Sequence, residues 1–86
     1  MSNTKNHFAL QLSDWNSGQA SGIYAVSSCL LAGSWPMFDD MLRAIRELRM
    51  EHNTECNKLA NVLQLMLECN KQYCATYQKW LHEDII

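Results

Sequence analysis

The fold is decided by the stretch TECNKLANVLQLMLECNKQYCATYQKWLHE, residues 54–83, which contains neither proline nor glycine. The helix is expected to begin at Asn53 or Thr54. Apolar residues recur along it with helical spacing, in columns seven residues apart. The columns are Leu59, Met66, Tyr73 and Trp80; Val62, Cys69 and Thr76; Leu63, Asn70 and Tyr77; and Ala60, Leu67, Cys74 and Leu81. We predict one long helix over 54–83 on which the rest of the chain packs.

The columns of this helix cover an arc of about 160°, which is wide enough to contact more than one neighbouring helix. A helix of this length spans roughly 43 Å, whereas a compact domain of this size has a diameter of about 31 Å. We therefore expect the last turns to overhang. The overhang makes Tyr73, Tyr77, Trp80 and Leu81 either core residues or a partner-binding surface.

Three shorter helices are predicted upstream, at about 5–15, 19–32 and 36–52. Phe8, Leu12 and Trp15 have helical spacing, but Phe8, Leu10 and Leu12 also alternate as in a strand, so helix and strand both stay open for 5–15. We expect Pro36 in the first turn of the third helix. Together these segments predict an all-α bundle of three to four helices, forming one domain over 1–86.

The second helix is rich in small side chains and should end at Gly33. One face, on which we expect close approach of another helix, carries Ser21, Ala25, Ser28 and Ala32. The third helix begins with acidic residues near its positive end. Its predicted solvent-facing residues are Arg43, Arg46, Glu47 and Arg49.

The composition limits the class of protein. The chain has 86 residues, a net charge of −2 and 48% apolar residues, with one proline and three glycines. The charge gives no general attraction to nucleic acid, and no apolar run is long enough to span a membrane. Because no signal peptide is visible, we expect a cytoplasmic protein whose four cysteines are free, buried thiols.

The sequence offers no arrangement for catalysis. His52 and Cys56 have the spacing of two zinc ligands on one helix, but the other thiols are badly placed to complete a site. No nucleophile has an evident base and orienting group. We therefore predict that the protein is not an enzyme and holds neither a metal nor a cofactor.

Nucleic-acid binding is the first alternative function. It would rest on Arg43, Arg46 and Arg49, which rotate around the third helix by about 60° per step instead of lining one edge. In a helix-turn-helix this helix would present Asp39 and Asp40 first, where donors are needed. We regard a small nucleic-acid-binding regulator as the less favoured interpretation.

We expect a non-catalytic protein that acts through protein–protein interaction. Many small helical products of phages and mobile elements inhibit a host complex, as anti-CRISPR proteins do, and this base rate suggests the same here. A structural homodimer through the C-terminal helix is the other alternative. The predicted partner-binding residues are Tyr73, Tyr77, Trp80, Leu81, Trp35, Arg43 and Arg46.

Overall fold

The computed structural model describes residues 4–15, 20–70, 73, 75, 78 and 79, and all the regular secondary structure within them is helical. Its helices are α1 (Thr4–Ser13), α2 (Ser21–Leu31), α3 (Phe38–Met50) and α4 (Thr54–Cys69). The predicted all-α bundle is confirmed, and the segment that allowed a strand is helix α1. The radius of gyration is 12.6 Å, close to the value of about 12 Å expected for a compact chain of this length.

Each helix packs chiefly against the next helix in the chain, α1 on α2, α2 on α3 and α3 on α4. The buried side chains form one core. Its members are Ala9, Leu12, Ala20, Ile23, Val26, Leu30, Met41, Ala44, Leu48, Cys56, Leu59, Ala60, Leu63, Leu67 and Tyr73. The principal neighbour of α4 is α3. The expected contact of the C-terminal helix with several helices also involves residues 71–83, most of which lie outside the described residues.

The predicted helix over 54–83 is not continuous. Helix α4 begins as expected after Asn53, whose side-chain oxygen accepts hydrogen bonds from the amides of Glu55 and Cys56. It ends at Cys69, because Asn70 has an extended backbone with φ −88° and ψ 128°. The next described residue, Tyr73, is helical, and its amide donates to the Asn70 carbonyl at 3.0 Å. Sixteen helical residues span only about 24 Å, so α4 itself does not overhang.

Helix α3 begins two residues later than predicted. Met37 is its N-cap, with φ −70° and ψ 151°, and Pro36 lies before the helix instead of in its first turn. The physical reason lies in the Pro36 carbonyl. It accepts the hydroxyl of Tyr73 at 2.8 Å, whereas in a helix starting there it would accept a backbone amide.

The close approach of α2 to α3 occurs at Gly22, not on the predicted face of small residues. A Cβ at Gly22 would lie 2.6 Å from the Ala44 nitrogen and 2.8 Å from the Arg43 carbonyl carbon. Of the predicted face, Ser21, Ser28 and Ala32 are exposed and Ala25 is half-buried. The predicted face was the one with the most small residues. The point where α2 and α3 cross is instead set by a single glycine, Gly22, on the adjoining face of α2.

Candidate partner-binding surface

The connection between α2 and α3 is a tightly bonded loop. Gly33 has φ 81° and donates its amide to the Leu30 carbonyl, while the Ser34 amide donates to the Cys29 carbonyl at 2.8 Å. This pair of hydrogen bonds is the Schellman motif, which ends a helix where glycine takes the left-handed conformation. The predicted role of Gly33 as the residue that ends the second helix is confirmed.

Tyr73 fixes this loop from the core side. Its side chain is only 2% exposed, and its ring meets that of Trp35 edge to face, with centroids 6.2 Å apart and an angle of 81° between planes. The hydroxyl donates to the Pro36 carbonyl. Burial raises the pKa of Tyr73 to about 12, and the neighbouring Cys29 adds to the rise. Tyr73 thus belongs to the core of the chain and is not an accessible anchor, contrary to its predicted role in partner binding.

The same loop and its two ends carry exposed apolar side chains. Leu31, Trp35 and Met37 are 44%, 46% and 70% exposed, although Pro36 between them is buried. We call the segment 31–37 with these three side chains the corner surface. Exposed tryptophan and methionine are the residue types enriched at protein–protein interfaces.

The arginines of α3 are partly engaged within the chain. Arg43 pairs with Asp40 at 3.4 Å in an exposed position, and Arg46 is exposed. Arg49 donates to the side-chain oxygens of Asn61 at 3.0 Å and Gln64 at 2.9 Å. These contacts join α3 to α4 at the rim of a surface groove of about 350 Å³. The three guanidinium groups do not form one basic edge.

Glu47 has a structural role that the sequence analysis missed. It was expected to face solvent, but its carboxylate oxygens accept the amides of Gly22 at 3.0 Å and Ile23 at 2.9 Å. These amides belong to the first turn of α2, which has no acceptor within its own helix and favours negative charge. Sequence spacing could not have found this contact, because it joins residues 24 and 25 positions apart.

The remaining predicted partner-binding residues, Tyr77, Trp80 and Leu81, lie outside the described residues. The candidate residues that the structure places at the surface are Trp35, Arg43 and Arg46. Of these, Trp35 lies within the corner surface, whereas the two arginines lie along α3. Leu31 and Met37 were not predicted. The sequence around them does not indicate that they are exposed, because the exposure of a side chain at or beside a loop depends on the tertiary fold.

The thiols differ in their surroundings. Cys29, Cys56 and Cys69 are free, but only Cys56 is buried, so the expectation of buried thiols is wrong for exposed Cys69. Burial raises the pKa of Cys56, with further contributions from Glu51 and Glu55. His52 has φ 52° and precedes α4, so it does not share a helix with Cys56.

Within the described part of the chain no three histidine, cysteine or acidic side chains lie close enough together to hold a metal ion. No described helix has the length and apolar character needed to cross a membrane. The chain matches no protein-family model, no curated protein and no solved structure.

Proposed function

We propose that this chain is a non-catalytic protein that acts by binding another protein through the corner surface. The observation that carries the proposal is the contrast across one short loop. Tyr73 holds the loop through its hydrogen bond to Pro36 and its ring contact with Trp35, while the side chains of Leu31, Trp35 and Met37 are exposed. A rigid apolar surface loses little conformational entropy on binding, which favours affinity.

A small protein of this kind acts by occupying the surface of its partner. We therefore propose that binding inhibits a partner complex by occlusion, in the manner of inhibitors carried by phages and mobile elements. The partner's contact site should be apolar and concave, because Trp35 is the largest exposed side chain in the corner surface and aromatic anchors fill pockets.

The experiment compares two methionines at opposite ends of α3. Met37 is 70% exposed within the corner surface, and Met50 is 69% exposed between Arg49 and Glu51. Met37→Glu places a carboxylate at a helix N-terminus, where it does not weaken the fold, so lost binding cannot be attributed to unfolding. Met50→Glu is the matched control.

The three tagged proteins are used to capture partners from a bacterial lysate. We expect the wild type and Met50→Glu to enrich the same protein, and Met37→Glu to lose it. The purified partner should then lose its activity on addition of the wild type but not of Met37→Glu. Enrichment of no protein above background, or equal capture by Met37→Glu, would contradict the proposal.

A further inference from the structure

Helix α4 carries a second apolar row in addition to its buried face. The buried face, which packs on α3, comprises Cys56, Leu59, Ala60, Leu63 and Leu67. The second row consists of Val62, Leu65 and Cys69, all exposed, with Leu65 56% exposed. We call these three residues the outer row. It shares no residue with the corner surface, so the inference below does not rest on the proposed function.

The outer row has the spacing of a two-helix contact. Lys58, Val62, Leu65 and Cys69 follow one another by four, three and four residues, the repeat that keeps a line of side chains facing a partner helix. Glu68, which follows Leu65 by three residues, is also exposed and lies next to the outer row on the polar side of α4. The row therefore has an apolar centre, a basic residue at one end and an acidic residue at the other.

The charges decide between the two orientations that a second copy could take. In an antiparallel pair Val62 of each chain faces Leu65 of the other, and Lys58 comes beside Glu68 of the second copy, twice by symmetry. A parallel pair would place Lys58 beside Lys58 and Glu68 beside Glu68, which is repulsive. Lys58 is available for such a pair, because its contact with Glu55 is 4.0 Å long and largely exposed.

We propose that the outer row of α4 is a self-association surface on which a second copy of this chain binds antiparallel, with Lys58 of each copy beside Glu68 of the other. The apolar centre provides two layers of contact, Val62 on Leu65 and Leu65 on Val62, within about one helical turn. This contact is smaller than a standard protein–protein interface, so the dimer is transient and forms only at high protein concentration.

Cys69 supplies a direct test of orientation. In the antiparallel register Cys69 faces Lys58 of the second copy, and the two Cys69 residues lie about 16 Å apart along the helix axis. A disulfide needs Cα atoms within about 7 Å. Lys58→Cys should therefore form an intermolecular disulfide with Cys69, whereas the wild type should form no disulfide between two copies of Cys69.

Asn57→Cys is the matched control, because Asn57 is exposed next to Lys58 in the sequence but on the polar side of α4. The linked peptides are identified by mass spectrometry after mild oxidation at millimolar protein. A dominant 58–69 link in Lys58→Cys, with no 57–69 link in the control, is the expected result. Equal links in both variants, or a 69–69 link in the wild type, would overturn the antiparallel pair.

Sedimentation of the full chain provides a second readout that needs no disulfide. We expect the average mass of the wild type to rise with concentration, and Leu65→Asp to lose this rise. Asn61→Asp adds the same charge beside the row and should retain it. A wild-type chain that stays monomeric at millimolar concentration would overturn the proposal, as would a rise that Leu65→Asp leaves unchanged.

Discussion

The contact between α2 and α3 and the packing of α4 use helix surfaces in different ways. Helices α2 and α3 meet backbone to backbone at Gly22, and Glu47 of α3 binds amides of α2 directly. Helix α4 packs through side chains on one face and leaves the outer row uncovered. The difference separates the part of the molecule that fixes the fold from the part that is free to bind.

The largest expected effect compares the two sides of α4. Leu63 is fully buried and Leu65 is 56% exposed, although both are leucines two residues apart. Leu63→Ala should lower the free energy of unfolding by about 3 kcal/mol, because it leaves a cavity in the core. Leu65→Ala should change it by less than about 0.5 kcal/mol. Urea denaturation measures both, and similar losses would show that the outer row is covered within one chain.

A substitution at the backbone contact of α2 with α3 should lower the free energy of unfolding by nearly as much. Gly22→Ala adds a Cβ that would clash with the backbone of Arg43 and Ala44, so the helices must separate. We expect a loss of about 2–3 kcal/mol. Gly33→Ala is the control that adds backbone strain without a clash. Gly33 has a φ of 81°, and a Cβ there would have no atom within 4 Å beyond its neighbours in the chain. This substitution should cost about 1 kcal/mol. A larger loss for Gly33→Ala in thermal denaturation would refute the close crossing.

Tyr73 tests how the corner surface is held. Its pKa in the folded protein is about 12, above the ordinary value of about 10. The folded state therefore favours the neutral phenol. Keeping the phenol neutral contributes up to about 2 kcal/mol to the free energy of unfolding. This contribution is fully present below pH 10 and is lost as the pH rises from 10 to 12.

Tyr73→Phe keeps the ring contact with Trp35 but removes the hydrogen bond to the Pro36 carbonyl. The variant should be less stable by about 1–2 kcal/mol at neutral pH. Between pH 10 and 12 the difference from the wild type should shrink. Denaturation across this range measures it, and a difference independent of pH would place the Tyr73 hydroxyl elsewhere.

The smallest expected effect concerns the Glu47 carboxylate. Glu47→Gln keeps the size of the side chain but replaces a charged acceptor by a neutral one, so the two α2 amides lose part of their stabilisation. We expect a loss of about 1 kcal/mol. Glu51→Gln is the control, because Glu51 is exposed at the end of α3, and it should leave the free energy of unfolding unchanged. If Glu47→Gln left the free energy of unfolding unchanged, the contact of Glu47 with the α2 amides would contribute little in solution.

The sequence predicted those features that depend on local patterns. The four helical segments, the start of α4 after Asn53 and the left-handed Gly33 all follow from spacing and residue type within a few positions. The buried face of α4 is likewise visible in its columns, since the apolar residues share one side of the helix.

The features that sequence reasoning missed depend on distant parts of the chain. Asn70 interrupts the C-terminal helix inside an apolar column, so periodicity continued through it. Asparagine competes for backbone hydrogen bonds and is a poor helix former. Tyr73, three positions after Asn70, is bonded to Pro36, which is 37 residues away and has no trace in the local pattern. Glu47 likewise looked like an ordinary surface charge, because its partners lie on another helix.

The most direct test of this account is amide hydrogen exchange at Gly22 and Ile23. Amides in the first turn of a helix normally exchange fast, because they have no acceptor within the helix. Here both donate to the half-buried Glu47. We predict that they exchange as slowly as the core amides of Ala44 and Leu48, and that Glu47→Gln reduces the protection of these two amides selectively. Fast exchange of both amides in the wild type would contradict the claim that α2 and α3 form the fixed part of the fold.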